Sequence, residues 1–206
     1  MVLVHGILGQ EVLYWNLMRR RLGEAGFSLH EVTLPKLALG DIDAATDTFT
    51  QRFGPLRDAA TGPLDVLAHS AGGLVVRNHL KRTRGAGGIR RLMTLGTPHG
   101  GTAVVRLLPE LGVIGQVRPD SEFLATLNAD PATPGPTLYT AVWTRHDGVV
   151  VPGERARLPA APNVENVEYQ GITHWGYLFG PRVARIVGEE LRRGFVGGDR
   201  IIERQA

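Results

Sequence analysis

Residues 64–74 read Leu-Asp-Val-Leu-Ala-His-Ser-Ala-Gly-Gly-Leu, and this stretch constrains the fold of the chain more than any other. Leu64 to Ala68 is a run of strand formers, and an apolar run with helical character begins at Leu74. Between them stand Ser70 and the small residues Ala71, Gly72 and Gly73. A serine held between a buried strand and a helix sits on a sharp turn. The positions two before and two after it must be small, because larger side chains collide across the turn. Ala68 and Gly72 meet that demand, although glycine is the more usual first residue. Such an elbow projects the serine oxygen beyond the sheet and aims the next backbone N–H, that of Ala71, at the same space.

The neighbouring segments supply a sheet for this elbow. Val2 to Val4 is a short buried-type strand that opens into His5-Gly6-Ile7-Leu8-Gly9, a loop suited to a site at a strand end. Helical spacing covers residues 11–25 and ends at Gly26, and a strand candidate spans 29–34. Residues 42–60 form a second helical region, which Gly54-Pro55 interrupts. A helix over 72–83 follows the elbow, and a strand over 89–95 runs into Gly96-Thr97-Pro98-His99-Gly100-Gly101-Thr102. Residues 103–136 are less regular, with an apolar stretch at 104–114 and a short helix at 121–127. Further strands are expected at 137–144 and 164–169, a closing helix at 175–193, and a surface tail from Gly194. Strands and helices alternate about six times. The fold class is therefore α/β, an about six-stranded parallel sheet with helices on both faces, in a single domain over 1–206.

Composition removes several functions. The chain has no cysteine, which excludes disulfides, thiolate metal sites and cysteine nucleophiles. The net charge of +3 is modest, and the Arg19–Arg21 triplet reads as the solvated side of a helix, so no nucleic-acid partner is expected. No apolar run reaches the ~18 residues of a membrane span. Phosphate-loop, dinucleotide and His-Glu-x-x-His patterns are absent, and Asp41-x-Asp43 reads as a helix start and not as a calcium site. No cofactor and no metal are expected. Met1 leads directly into Val2 to Val4 with no basic leader or cleavage site. Taken as it stands, that start predicts a cytoplasmic protein; taken as a trimmed start, a secreted one.

A serine hydroxyl needs a base within hydrogen-bond reach, and the base needs an orienting acid. Both are expected in loops at the same sheet edge as Ser70. Asp147 follows the strand over 137–144, and His174 follows the strand over 164–169. The chain order is then Ser70, Asp147, His174, the order expected for a catalytic serine, acid and histidine on this architecture. His69 abuts the serine and is expected to point elsewhere, and His79 lies within a helix. Asp120 and Asp130 are rival acids in the irregular stretch, and Asp65 lies at the wrong end of its strand. The oxyanion hole takes two backbone donors, for which Ala71 and Ile7 qualify. Leu8 and Trp175 are candidates for substrate contact, Trp175 having a place in the core as its alternative.

These residues resemble the α/β-hydrolase superfamily, in particular small bacterial lipases and esterases. Val-His-Gly-Ile-Leu-Gly at 4–9 is similar to the lipase oxyanion loop, and Ala-His-Ser-Ala-Gly-Gly at 68–73 resembles the alanine-variant elbow of minimal, lidless Bacillus-type lipases. Leu-Gly-Thr-Pro-His-Gly-Gly-Thr at 95–102 is similar to the segment after the next strand in many lipases. Asp147-Gly148-Val149-Val150 and Gly171-Ile172-Thr173-His174 resemble the acid and histidine loops. The likeness runs from residue 2 to about 190. It implies a serine carboxylic-ester hydrolase without cofactor, acting on small-molecule or lipid esters with transient lipid-surface contact. The chain departs from the minimal lipases at 100–136, where their connection is shorter; this segment is either a small lid or an insertion packed on the sheet. A thioesterase or acyltransferase uses the same triad. A non-catalytic binding module on this scaffold is expected to lack a triad member, and none is missing here.

Overall fold

The computed structural model describes residues 1–6, 11–35 and 40–202. Among these, seven strands form one all-parallel sheet: β1 (Val2–Val4), β2 (His30–Val32), β3 (Leu64–His69), β4 (Ile89–Leu95), β5 (Leu138–Trp143), β6 (Val164–Tyr169) and β7 (Gly198–Ile202). Their spatial order is β2-β1-β3-β4-β5-β6-β7. The chain steps outward from β1 to β2, then crosses back to lay β3 on the other side of β1. The order reverses there, so a crevice opens at the carboxyl ends of β1 and β3. Val4 pairs with Ala68, which brings the His5-Gly6 loop and Ser70 to that crevice side by side.

Alternation along the strands divides the core. Val2, Val4, Val66 and Ala68 face one side, where α2 (Ile42–Ala59) and α3 (Ala71–Arg82) contribute Phe49, Phe53, Leu74 and Val75. Leu3, Leu67, Met93 and Val142 face the other, against Met18 and Leu22 of α1 (Glu11–Glu24), Tyr177 and Leu178 of α4 (Gly176–Phe179), and Val183 and Val187 of α5 (Pro181–Arg192). A strand covered on both faces reads as continuous apolar sequence. This accounts for the strand reading at 2–4 and 64–68.

Three local differences from the sequence expectation have physical reasons. First, α2 runs unbroken through Gly54-Pro55. Pro55 lies on the exposed face, so the carbonyl that loses its partner faces water, while Phe49 and Phe53 hold the buried face. Second, the expected helix over 175–193 is two helices. Gly180 is extended at φ −69°, ψ 113°, because Pro181 disfavours helical geometry in the residue before it. Third, the stretch from Gly194 contains β7, which accounts for the seventh strand. The buried Glu165 carboxylate at the start of β6 meets Arg91 at 3.0 Å, Arg193 at 2.5 Å and Arg200 at 3.4 Å, and Glu190 meets Arg200 at 2.5 Å. These ion pairs fasten a polar segment that hydropathy does not mark as strand. As expected from the sequence, Asp41 opens α2, accepting from the Ala44 N–H at 2.7 Å. Among the described residues no helix is long and apolar enough to cross a membrane.

Candidate active site

Ser70 stands on the turn between β3 and α3 with φ 52° and ψ −136°, a region that L-residues rarely occupy. Its neighbours over-determine that conformation. The Ser70 N–H donates to the Leu95 carbonyl at 2.9 Å, and the Ser70 carbonyl accepts from the Gly73 N–H at 3.0 Å and from Thr97 Oγ1 at 2.7 Å. A Cβ on Gly72 would meet the His5 carbonyl group, its carbon at 3.0 Å, so the second small position is required by the β1 loop.

The structure brings Ser70, His174 and Asp147 together. His174 Nε2 lies 3.1 Å from Ser70 Oγ, and its Nδ1 lies 2.9 Å from Asp147 Oδ1 and 3.1 Å from Oδ2. An ionised carboxylate only accepts, so the ring proton sits on Nδ1 and donates to Asp147. Nε2 is then an acceptor facing the serine hydroxyl. All three side chains are buried. The Asp147 loop is itself tied down: Oδ1 accepts from the Val149 N–H at 3.1 Å and the Val150 N–H at 2.7 Å. The His174 N–H donates to the Asp147 carbonyl at 2.9 Å, joining the two loops through the backbone as well.

The remaining sequence candidates divide. Ala71 opens α3, and the first N–H groups of a helix have no acceptor within it. Ile7 and Leu8 lie outside the described residues. The loop leading to them is held at His5, whose Nε2 accepts from the Leu34 N–H at 2.8 Å and whose Nδ1 donates to the Gly6 carbonyl at 2.9 Å. Trp175 is 40% exposed and meets the His174 ring edge-on, centroids 5.7 Å apart, so it is not a core aromatic. Asp120 and Asp130 are exposed, and Asp65 pairs with Arg90 at 2.5 Å; His174 hydrogen-bonds none of these three. Asp120 instead lines a cleft of about 700 Å³ with Asp43, Asn78 and Arg118, whose walls include none of Ser70, Asp147 or His174.

Sequence reasoning gave no role to three residues beside the site. His69 sets its ring against His174: Nε2 donates to the His174 carbonyl at 3.3 Å and the ring centroids lie 4.7 Å apart. Burial, with His174 beside it, pushes the His69 imidazole well below its ordinary range, which keeps it neutral beneath the site. Gly96, at φ 55°, makes room for the acid–histidine pair. A Cβ there would lie 2.7 Å from Tyr177 Cε2, 2.9 Å from Asp147 Oδ2 and 3.1 Å from His174 Nδ1. Thr97 caps the elbow carbonyl. Gly96 and Thr97 belong to the motif at 95–102, so the signal was present without a role attached to it.

An all-parallel sheet in this order, covered on both faces, with a serine on the turn after β3 and an acid and a histidine after β5 and β6, has the α/β-hydrolase fold. Solved structures agree. Lipase B from Aspergillus fumigatus matches with a TM-score of 0.78 and 22% identity, covering 96% of this chain and 53% of its own. The mature form of lipase BlEst2 from Bacillus licheniformis matches with a TM-score of 0.72 and 15% identity, covering 92% of this chain and 90% of its own. A monoacylglycerol lipase from Paleococcus ferrophilus matches with a TM-score of 0.66 and 15% identity, covering 92% of each chain. The chain thus spans about half the length of the fungal lipase. At these identities the likeness defines the fold. No family model matches the sequence, and no curated protein does.

Proposed function

We propose that the protein is a serine carboxylic-ester hydrolase of the lipase and esterase kind. The observation that carries this reading is His174 set between Ser70 Oγ at 3.1 Å and Asp147 at 2.9 Å. Ser70 attacks the ester carbonyl while His174 Nε2 takes its proton. Asp147 orients the ring and stabilises its charged form. The negative charge that develops on the carbonyl oxygen is met by the Ala71 N–H and the Ile7 N–H. His174 then protonates the departing alcohol, and water releases the acyl group from Ser70 by the same steps. Neither a metal nor a cofactor takes part in this scheme.

Lipid-like acyl esters are the substrate class the surface supports best. Leu107 is 97% exposed, and Val104, Leu108 and Leu111 beside it are also exposed, so the segment after Thr102 presents apolar side chains to its surroundings. Trp175, beside His174, and Leu8 are the proposed acyl contacts. The same apolar segment suits transient contact with a lipid surface.

Hydrolysis of p-nitrophenyl esters from acetyl to palmitoyl, with the Ser70→Ala protein as blank, tests the reading. Serine-dependent turnover extending to long chains is expected. Turnover confined to short chains would replace lipid with small esters as the substrate class. Absence of turnover with every ester, together with serine-dependent release from acyl-thioesters or transfer to added alcohols, would move the protein to the thioesterases or acyltransferases.

A further inference from the structure

Thr102 closes the 95–102 motif and hydrogen-bonds neither Ser70 nor His174, yet it is 4% exposed and its hydroxyl is fully used. A hydroxyl has one proton to donate and two lone pairs to offer. Thr102 Oγ1 donates to the Val149 carbonyl at 2.7 Å and accepts from the Val151 N–H at 3.1 Å and the Val104 N–H at 3.3 Å. The Thr102 N–H donates to the Val117 carbonyl at 2.9 Å, and the Ala103 N–H to the Val151 carbonyl at 2.9 Å. Two residues earlier, the Gly100 N–H donates to the Arg155 carbonyl at 2.7 Å and Arg155 Nη1 returns a bond to the Gly100 carbonyl at 2.7 Å. The motif after β4 is therefore laced along the loop that carries Asp147.

The consequence falls on the carboxylate. Asp147 Oδ1 accepts from the Val149 and Val150 N–H groups, so its direction is set by the backbone of 149–151. That backbone is held from the other side by Thr102, through the carbonyl of Val149 and the N–H of Val151. A peptide plane moves as one body. Freeing the Val149 carbonyl therefore frees the peptide whose N–H belongs to Val150, the shorter of the two bonds to Asp147. We propose that Thr102 is a positioning residue for Asp147, its hydroxyl fixing the peptides that hold the carboxylate toward His174. The Val104 bond joins the same hydroxyl to the start of the exposed apolar segment, so acid loop and apolar segment share one anchor.

This inference rests on the reading that Ser70, His174 and Asp147 do the chemistry, and its test separates the two. Thr102→Val keeps the shape and removes the hydroxyl; Thr102→Ser keeps the hydroxyl. With p-nitrophenyl esters, Thr102→Val is expected to lower kcat about 10- to 100-fold with KM little changed, and Thr102→Ser to restore most of it. A kcat for Thr102→Val equal to wild type, or a Thr102→Ser protein as slow as Thr102→Val, overturns the proposal. An independent readout needs no substrate: the downfield NMR signal of the His174 Nδ1 proton bonded to Asp147, identified by its loss in His174→Ala. That signal is expected to shift or vanish in Thr102→Val and persist in Thr102→Ser. An unmoved signal in a folded Thr102→Val protein contradicts the inference even if no ester is turned over, an outcome that would by itself count against the hydrolase reading only. Thr102→Ala carries the same expectations where the valine variant does not fold.

Discussion

Thr97 fills the space that a side chain on Gly73 would need. A Cβ built on Gly73 would overlap Thr97 Oγ1 and lie 2.8 Å from its Cγ2 and 2.9 Å from its Cβ. The same Oγ1 donates to the Ser70 carbonyl at 2.7 Å. The glycine three residues after the serine is thus the socket for the residue that caps the elbow. Within a helix, glycine ordinarily costs about 0.5–1 kcal/mol relative to alanine. Here the clash reverses the sign.

Gly73→Ala is therefore expected to destabilise by about 1–3 kcal/mol, the usual range for overpacking. Thr97→Gly in the Gly73→Ala background should cost less than it does in the wild type. Urea unfolding of the four proteins of this cycle measures the coupling. Additive effects would contradict the socket.

Ser70→Gly separates strain from chemistry. A non-glycine residue at φ 52° carries strain, and glycine relieves it. The variant should be more stable than wild type by about 1 kcal/mol and should have no ester turnover. Denaturant midpoints and the p-nitrophenyl assay check both halves, and lower stability would contradict the strain.

Acid should weaken the protein before its carboxylates titrate. Burial pushes His69 and His99 well below the ordinary value of 6.5, helped by His174 beside the first and by Arg77 beside the second. The folded state keeps both neutral where the unfolded chain takes up protons. The stability linked to them is complete above 6.5 and is lost as pH falls toward their folded values. Two such protons give a slope approaching about 2.7 kcal/mol per pH unit. Urea midpoints measured at intervals from pH 7.5 to pH 5 read the slope; a flat profile would contradict the burial of these rings.

Glu165 acts at lower pH. Burial alone raises its carboxyl, but Arg193, Arg200 and Arg91 outweigh burial and hold it below the ordinary 4.5. Its contribution is present above 4.5 and is lost as pH falls through the lower folded value. Glu165→Gln should cost about 3 kcal/mol at neutral pH, because it leaves the buried Arg91 guanidinium without its carboxylate, and should flatten the stability profile below pH 4.5. Unfolding of both proteins at neutral pH and at pH 3.5 makes the comparison.

Much of this arrangement is legible in the sequence because local sterics force it. Ala68, Ser70 and Gly72 announce the elbow, since few residue types survive that turn. Asp147 and His174 stand out because each follows an apolar strand that the sheet's period marks. The features that escaped depend on partners far along the chain. β7 is a polar strand whose place is set by Arg200 meeting Glu165 and Glu190. The unbroken α2 depends on Pro55 falling on the exposed face, which the spacing of Phe49 and Phe53 decides. Thr102 is one threonine among many until Val149 and Val151 close on its hydroxyl.

Reaction of the folded protein with a fluorophosphonate, followed by mass-spectrometric location of the label, tests the central claim most directly. A serine whose hydroxyl donates to His174 Nε2, with Asp147 behind the ring, should be labelled at Ser70 alone. Labelling should disappear in Ser70→Ala and in the urea-unfolded protein, and should slow sharply in His174→Ala. An unlabelled Ser70 in the folded protein, or labelling at the same rate without His174, would contradict the account.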